Sequence, residues 1–404
     1  MLTDNSDDSI YGQALLMIRT GDQAFIKELN KSITINLIRR RSPISRSQIS
    51  VESGLNKATV SSLIDELISE GLVIELGPGH SSVGRRPVML GFNGSAGHTI
   101  GVELGVDYVR ALSTDLAGNI ALSEETKSPD AGNIQETIAS LANLVKEIIA
   151  KTPPSRLGII GAGIGVPGMV DFSNGTVLNA PNLGWFNVPL KSYLETHLNI
   201  PIFIDNEANT GTLAEKMFGH GKQVSNFIYL SVSTGIGTGI MINDNLVRGS
   251  HGTAGEFGHM VVETQGLRCS CGNRGCLEMY ASEKALVTKY QQLSGRTLPT
   301  PEIISLLSQG DAMAFQSVQS VGQYLGIGIN NIINGLNPTL VIIGNHFSTL
   351  GSWVIPQIEQ IIGNSTLRTP PSQVRVEVAS LGRDATSVGA AALAINEYFA
   401  GPIH

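Results

Sequence analysis

The chain has little of what would tie it to a membrane, to secretion or to broad contact with nucleic acid. Charged residues make up only 15% of its 404 residues and the formal net charge is −7, so the chain as a whole has no basic field for a polyanion. Its apolar runs, such as residues 157–170, are interrupted by glycine and are too short to span a bilayer. Acidic residues at positions 4, 7 and 8 stand where a secretory signal would be basic. We therefore expect a cytoplasmic protein of two or three domains with reduced thiols.

Cysteine is scarce, and the three cysteines lie close together. Cys269, Cys271 and Cys276 fall within eight residues, and His259 comes ten positions before the first of them. Three thiolates and one imidazole are a donor set that Zn²⁺ favours, and four protein ligands leave no open position. Buried free thiols are the alternative, whereas an odd count without a secretory signal argues against a disulfide. The spacing predicts a structural zinc site.

Two carboxylates lie beside the proposed metal ligands. Glu256 precedes His259 by three residues, and Glu278 follows Cys276 by two. Carboxylates accept hydrogen bonds from sugar hydroxyls, and a metal-bound loop would fix the spacing of the two acids. The spacing is equally compatible with two solvated acids. The stretch is therefore a candidate site for a polyhydroxyl ligand.

Residues 255–278 resemble the signature of the ROK family, whose name stands for repressors, open reading frames and sugar kinases. The stretch reads Gly-Glu-x-Gly-His, and then Cys-x-Cys-Gly-x-x-Gly-Cys-x-Glu. The resemblance implies that zinc is bound by the histidine and the three cysteines. It also implies a sugar site, whose predicted contacts are Gly168, Asn206, Glu207, Glu256, His259 and Glu278.

The N-terminal part has the pattern of a DNA-binding domain. Apolar residues at helical spacing predict helices over residues 22–41, 45–54 and 57–71, with a glycine turn before the last, which is the helix-turn-helix plan. Two strands, at residues 72–76 and 88–92, enclose a loop that reads as a wing. A small helical interaction domain is the alternative. The residues that we predict to contact DNA are Arg46, Asn56, Lys57, Thr59, Ser61, Ser62, Arg85 and Arg86.

Charge placement agrees with this division into domains. Residues 22–93 contain nine basic and seven acidic side chains, whereas the rest of the chain is acidic. We expect an N-terminal extension at residues 1–21, a winged helix-turn-helix domain at 22–93 and a short linker at 94–97. Residues 98–404 repeat strand, glycine turn, strand and helix, the pattern of a two-lobed actin-like ATPase (ROK sugar kinase-like) domain in an α/β fold. The first lobe is expected at about 98–218 with 383–404, and the second at about 219–382.

Three positions depart from what the resemblance implies for a kinase. The first phosphate loop of the ROK kinases reads Asp-x-Gly-Gly-Thr, and here residues 103–107 read Glu-Leu-Gly-Val-Asp. Glu207 stands where the kinases carry their catalytic aspartate, and Asn345 replaces one of two paired glycines. An extra methylene displaces a carboxylate by about an ångström, which disfavours proton abstraction. Trp185 is either a stacking platform for the sugar or a core aromatic.

The resemblance as a whole implies a sugar-responsive transcriptional repressor that is not an enzyme. A monosaccharide would release it from operator DNA, and xylose is the sugar that the resemblance implies. We expect a homodimer or larger assembly, because one helix-turn-helix reads only a half-site. Two alternatives remain open: a sugar kinase with an appended DNA-binding domain, and a repressor controlled by a sugar-transport protein.

Overall fold

The computed structural model describes residues 22–79, 86–128, 133–364 and 374–401, which divide into two units. The first unit combines the described residues up to Asn93 with residues 396–401. The second unit runs from Gly94 to Ile395. Residues 396–401 were expected in the first lobe of the larger domain, and they belong instead to the N-terminal unit.

The first unit has the predicted helices and wing strands. The second helix begins at a capping box made by Ser45 and Gln48 and ends at Gly54, whose φ is 73°. The third helix begins where the Asn56 side chain accepts a hydrogen bond from the Thr59 amide at 2.8 Å. A two-residue strand that the sequence did not predict completes an antiparallel sheet in the order β1-β3-β2. The elements are α1 (Gln23–Arg41), β1 (Ile44–Ser45), α2 (Arg46–Ser53), α3 (Lys57–Ser69), β2 (Val73–Pro78) and β3 (Val88–Phe92).

Residue Phe399, near the C-terminus, is built into this unit. Its carbonyl oxygen accepts hydrogen bonds from the Ser32 hydroxyl at 2.7 Å and from the Asn36 amide at 2.8 Å. The Arg39 guanidinium lies 4.7 Å from the Phe399 ring centroid and 5.8 Å from that of Phe92. Burial lowers the pKa of Arg39 to about 10, so the side chain stays charged at neutral pH between its two aromatic neighbours. Phe399 thus packs against α1 and Phe92 of the first unit.

The second unit contains two five-stranded mixed sheets, as expected for two lobes. Their strand orders are β11-β7-β4-β5-β6 and β14-β13-β12-β15-β16. The strands of the first sheet are β4 (His98–Leu104), β5 (Tyr108–Asp115), β6 (Ile120–Lys127), β7 (Ile159–Val166) and β11 (Ile202–Asn206). Those of the second are β12 (Phe227–Val232), β13 (Ile236–Ile242), β14 (Asn245–Leu246), β15 (Leu340–Gly344) and β16 (Arg375–Val378).

A third, smaller sheet was not predicted, because its strands are too short to show a period of two. It has the order β10-β9-β8, with β8 (Met169–Asp171), β9 (Thr176–Ala180) and β10 (Trp185–Val188). The first sheet and this small sheet share one buried apolar core. Trp185 is 1% exposed within that core. The idea that Trp185 stacks on the sugar is therefore wrong, and the residue is a core aromatic.

Helices pack on the sheets of the second unit. The long helix after residue 311 ends at Asn337, which adopts the left-handed conformation just before Pro338. Among the described residues, no helix is long and apolar enough to cross a bilayer. The helices are α4 (Ile134–Lys151), α5 (Leu190–Glu195), α6 (Glu207–Phe218), α7 (Glu278–Ala281), α8 (Glu283–Ser294), α9 (Thr300–Ser308), α10 (Ala312–Leu336), α11 (Gly351–Gly363) and α12 (Ala385–Phe399).

Candidate ligand cleft and metal centre

The four predicted metal ligands meet in one cluster. The donor atoms of His259, Cys269, Cys271 and Cys276 all lie within 4.8 Å of one another. The His259 Nδ1 atom is 3.6 Å from the Cys269 sulfur, and the Cys271 and Cys276 sulfurs are 3.6 Å apart. That sulfur–sulfur separation is far longer than the roughly 2.05 Å of a disulfide bond. Residues that are well separated along the loop thus converge on one point.

The cluster fits a tetrahedral metal ion. Ligands about 2.0–2.3 Å from zinc lie roughly 3.3–3.8 Å apart at the corners of a tetrahedron, which matches both 3.6 Å separations. Burial and the neighbouring sulfurs raise the pKa of Cys276 to about 12, so three thiolates need a cation to compensate their charge here. The set could hold a metal ion and is compatible with zinc.

The cluster orients His259 between two carboxylates. Its Nδ1 faces Cys269, while Nε2 lies 3.9 Å from a carboxylate oxygen of Glu256. A carboxylate oxygen of Glu278 is 3.0 Å from the Cys269 sulfur and 3.6 Å from Nδ1 of His259. Burial raises the pKa of Glu256 above its usual value, with the nearby His259 acting in the opposite direction. A metal ion held by this cluster would fix the spacing of both acids.

All six predicted sugar-binding residues line a single cleft of about 1450 Å³ within the second unit. Glycine turns approach it closely: a Cβ on Gly235 would lie 3.0 Å from a carboxylate oxygen of Glu278. The cleft presents carboxylates, an imidazole and amides together, which are the groups that bind hydroxyls. The lining residues from the prediction are Gly168, Asn206, Glu207, Glu256, His259 and Glu278.

Asn206 is fixed at the junction of β11 and α6. Its side-chain oxygen accepts a hydrogen bond from the Ala208 amide at 2.7 Å, and its side-chain nitrogen donates to the Gly168 carbonyl at 2.7 Å. The nitrogen has two hydrogens, so the second one can meet a ligand. Gly168 has a φ of 115°, and a Cβ there would lie 2.3 Å from the Asn179 carbonyl oxygen. Only glycine fits this conformation and this approach.

Glu207 carries an unusual charge state for a glutamate. Burial, and then repulsion from the buried carboxylate of Glu103, raise its pKa to about 7. His346 and Ser231 act in the opposite direction. A residue that titrates near neutrality at a cleft can change its charge on binding a ligand.

Residues 103–107, at the position of the first phosphate loop of the kinases, are packed closely against the Tyr108 side chain. The Tyr108 hydroxyl donates to Glu103 at 2.7 Å, and a Cβ on Gly105 would lie 2.4 Å from the Tyr108 ring. Burial raises the pKa of Glu103, while Arg110 lies 3.9 Å from its carboxylate. Tyr108 thus lies against the loop where a phosphate approaches in the kinases.

The second altered position, Asn345, comes just before His346, which lines the same cleft. Asn345 is buried at a φ of 59° and donates to the Ser231 hydroxyl at 3.2 Å. The next residue, His346, pairs with Glu283 at 2.8 Å, and this contact raises the pKa of the histidine. Sequence reasoning missed Tyr108, His346 and Glu283, because their partners are distant in the chain or, for Tyr108, carry no motif.

The predicted DNA contacts are all in the first unit, mostly at the start of α3. Asn56, Lys57 and Ser62 are exposed, and Thr59 and Ser61 are partly exposed. Arg86 is exposed before β3, whereas Arg85 lies outside the described residues. The exposed polar side chains at the N-terminal turn suit base edges and phosphates.

Arg46 is engaged inside the first unit. Its guanidinium contacts Asp65 at 2.9 Å, the Ser61 carbonyl at 3.2 Å and Glu75 at 3.5 Å. These contacts join α2 to α3 and to β2. Arg46, which the sequence assigned to DNA, therefore forms contacts within the first unit.

Comparison with known proteins places the chain among regulators and kinases. A family model described as the ROK family matches residues 99–397. The xylose repressor of Bacillus spizizenii is 41% identical over 381 residues, which cover 93% of this chain and 97% of that protein. The crystal structure of a ROK family transcriptional regulator, a homolog of the E. coli MLC protein, superposes with a TM-score of 0.78 at 29% identity and covers 93% of this chain and 97% of its own. A ROK family glucokinase from Streptomyces griseus, in complex with glucose and AMPPNP, gives a TM-score of 0.68 at 29% identity over 73% of this chain and 98% of its own.

Proposed function

Because this chain belongs to the ROK family, we propose that it is a sugar-responsive transcriptional repressor. The first unit binds operator DNA, and a monosaccharide in the cleft of the second unit releases it. The observation that carries the proposal is the convergence of six predicted sugar-binding residues on one cleft, in a chain that also has a winged helix-turn-helix.

The share of this chain that each relative covers supports the proposal that the first unit binds DNA. The family model begins at residue 99, and the glucokinase covers 73% of this chain. The two regulators cover 93%, so their similarity continues into the N-terminal unit. A kinase needs no such unit, whereas a repressor does.

Xylose is the proposed inducer. The support is the name of a relative that matches 93% of this chain at 41% identity. Carboxylates and amides in the cleft suit any monosaccharide, so the chemistry of the site alone does not separate xylose from glucose. Sugar catabolic genes are the expected target.

Zinc is the proposed resident metal, held by His259, Cys269, Cys271 and Cys276. Four protein ligands make its role structural: the ion cross-links the loop that carries Glu256 and Glu278. His259 bound through Nδ1 keeps its Nε2–H directed towards the Glu256 side of the cleft, where a sugar hydroxyl can accept it.

We further propose that the protein does not phosphorylate the sugar, although its family includes kinases. Tyr108 lies against residues 103–107, at the position of the first phosphate loop, and Asp107 adds a carboxylate that lines the cleft. Carboxylates repel phosphate groups. The alternatives, an active kinase and control by a sugar-transport protein, predict ATP turnover and sugar insensitivity, respectively.

DNA contacts are proposed for Asn56, Lys57, Thr59, Ser61 and Ser62. Arg85 and Arg86 are further proposed contacts. Arg46 is retained as a weaker candidate, because its guanidinium is tied to Asp65. A homodimer or larger assembly would present two helix pairs to a two-fold symmetric operator.

The test is operator binding by fluorescence anisotropy, with calorimetric titration of a panel of pentoses and hexoses. We expect one sugar to bind and to release the operator, with xylose the first candidate. The Asn206→Ala variant should keep operator affinity and lose the sugar response. Operator binding that no sugar alters would contradict the proposal and favour a protein partner.

A further inference from the structure

Arg248 is not among the predicted sugar contacts, yet its guanidinium pairs with Asp205, the residue before Asn206. The Arg248 Nε and Nη2 atoms lie 2.8 and 2.7 Å from one carboxylate oxygen of Asp205. Its guanidinium carbon lies 3.9 Å from the centroid of the Phe172 ring. Two charge-assisted bonds and a ring contact hold this side chain in one geometry.

Asp205 is a buried carboxylate whose other oxygen is also used. Only 1% of the residue is exposed. The second oxygen accepts from the Asn206 amide and from the Asn209 side chain, both at 2.8 Å. Among the described contacts of Asp205, Arg248 is the cation that compensates its charge. A buried carboxylate without that cation would be strongly disfavoured.

These residues come from three separate parts of the second unit. Asp205 is in β11 of the first five-stranded sheet, Arg248 follows β14 of the second, and Phe172 follows β8 of the small sheet. A Cβ on Gly252 would lie 2.2 Å from the Val170 carbonyl oxygen, so the segment after Arg248 also packs tightly on β8. The Arg248 side chain is therefore a tie between the lobes.

The two ends of this tie lead directly to opposite sides of the sugar site. On one side, Asp205 holds the backbone of Asn206, whose side chain binds Gly168. On the other side, the segment that begins at Arg248 continues to Glu256 and His259. A change in the length of the tie would change the width of the cleft between these groups.

We propose that Arg248 is a positioning residue for sugar recognition. Through Asp205 it holds the Asn206 side and the Glu256 side of the cleft at the separation that a monosaccharide spans. This inference rests on the proposed sugar response of the same cleft. Lysine cannot replace the arginine fully, because one ammonium group does not reproduce two charge-assisted bonds and a flat face over Phe172.

The experiment uses the full-length, zinc-loaded protein and the sugar that binds the wild type in calorimetry. We expect Arg248→Ala to weaken sugar binding by about 10–100-fold, by analogy with the loss that follows removal of a residue that orients a metal ligand. Zinc content and sugar-free operator affinity should be unchanged. Arg248→Lys should recover part of the loss. Lys151→Ala, which removes an exposed pair with Glu124 in the same unit, is the matched control and should bind sugar normally.

Asp205→Asn provides a second route to the same tie, with a smaller disturbance of folding. If the Arg248–Asp205 contact sets the sugar affinity, the Asp205→Asn/Arg248→Ala double variant should bind sugar only slightly more weakly than Arg248→Ala alone. Normal sugar affinity in Arg248→Ala would overturn the inference, as would an equal loss of zinc and operator binding, which would indicate a general folding role. If the wild type binds no sugar, the proposed function fails as well. If the wild type binds sugar and the variants bind it equally tightly, the proposed function stands and this inference fails.

Discussion

Replacing Glu207 with glutamine should stabilise the protein at alkaline pH. Glu207 is half-buried in the cleft and close enough to Glu103 for the two carboxylates to repel each other. Its pKa of about 7 means that the folded protein resists the charge that an unfolded glutamate carries at neutral pH. Glutamine keeps the size of the side chain and removes that charge.

The size of the expected gain in stability follows from the raised pKa of Glu207. An unfolded glutamate has a pKa of 4.5 and the folded one about 7, and each unit is worth about 1.4 kcal/mol, so the penalty reaches about 3 kcal/mol as an upper estimate. Because the pKa of Glu207 is raised in the folded protein, its carboxyl group stabilises the fold fully below pH 4.5, and this contribution to the free energy of unfolding is lost as the pH rises through 7. The variant should therefore be within about 1 kcal/mol of the wild type at pH 5 and up to about 3 kcal/mol more stable at pH 8.

Urea unfolding of sugar-free protein at pH 5 and at pH 8 measures this difference. The chain has two tryptophans, Trp185 and Trp353, and both lie in the second unit, so their fluorescence reports the unit that contains Glu207. The midpoint and slope of each curve give the free energy of unfolding. Comparing the two proteins at each pH removes the effects of pH on all other groups that they share.

A variant that is less stable than the wild type at pH 8, or that differs equally at both pH values, would refute the reasoning. Either result would mean that the Glu207 charge is compensated by contacts stronger than its repulsion from Glu103. Glu147→Gln, at an exposed position on α4, is the matched control and should leave both curves unchanged.

Three further outcomes are expected. Cys271→Ser should lose zinc, measured by elemental analysis, and the sugar response together, whereas Ser270→Ala should keep both; a zinc-free variant that still responds to sugar would disprove the coupling. The Arg85→Ala/Arg86→Ala protein should show a shallower dependence of operator affinity on salt, by about one unit of slope for each phosphate that the wing no longer neutralises, and an unchanged slope would remove the wing from the interface. Neither xylose nor glucose should be converted to a phosphate ester with ATP, and turnover above that of Glu207→Ala would show an active kinase.

The cluster of His259 with the three cysteines was predictable because these residues are close in sequence. Three cysteines within eight residues restrict the loop enough that residue types and spacing alone define the donor set. The same holds for the start of α6, where Asn206 is both the capping residue and a cleft residue. In these places local sequence and local geometry carry the same information.

Other parts of the site depend on contacts that no local pattern records. Arg248 and Asp205 are 43 residues apart, and His346 and Glu283 are 63 apart. Which charges pair is decided by how the two sheets bring their strand ends together, and residue spacing does not encode that. The contacts of Arg46 with Asp65 and Glu75 within the folded unit are likewise between residues distant in the chain, and residue spacing does not show them.

The position of Phe399 bears on how proteins of this kind can be recombined. Residues 396–401 belong to the N-terminal unit, and Arg39 and Phe92 contact the Phe399 ring there. A fragment that ends at Asn93 would leave these side chains facing water. A chimaera that exchanges operator specificity between two such repressors should therefore take residues 22–93 and residues 396–401 from one parent, because a single crossover near residue 94 would separate Phe399 from the α1 side chains that contact it.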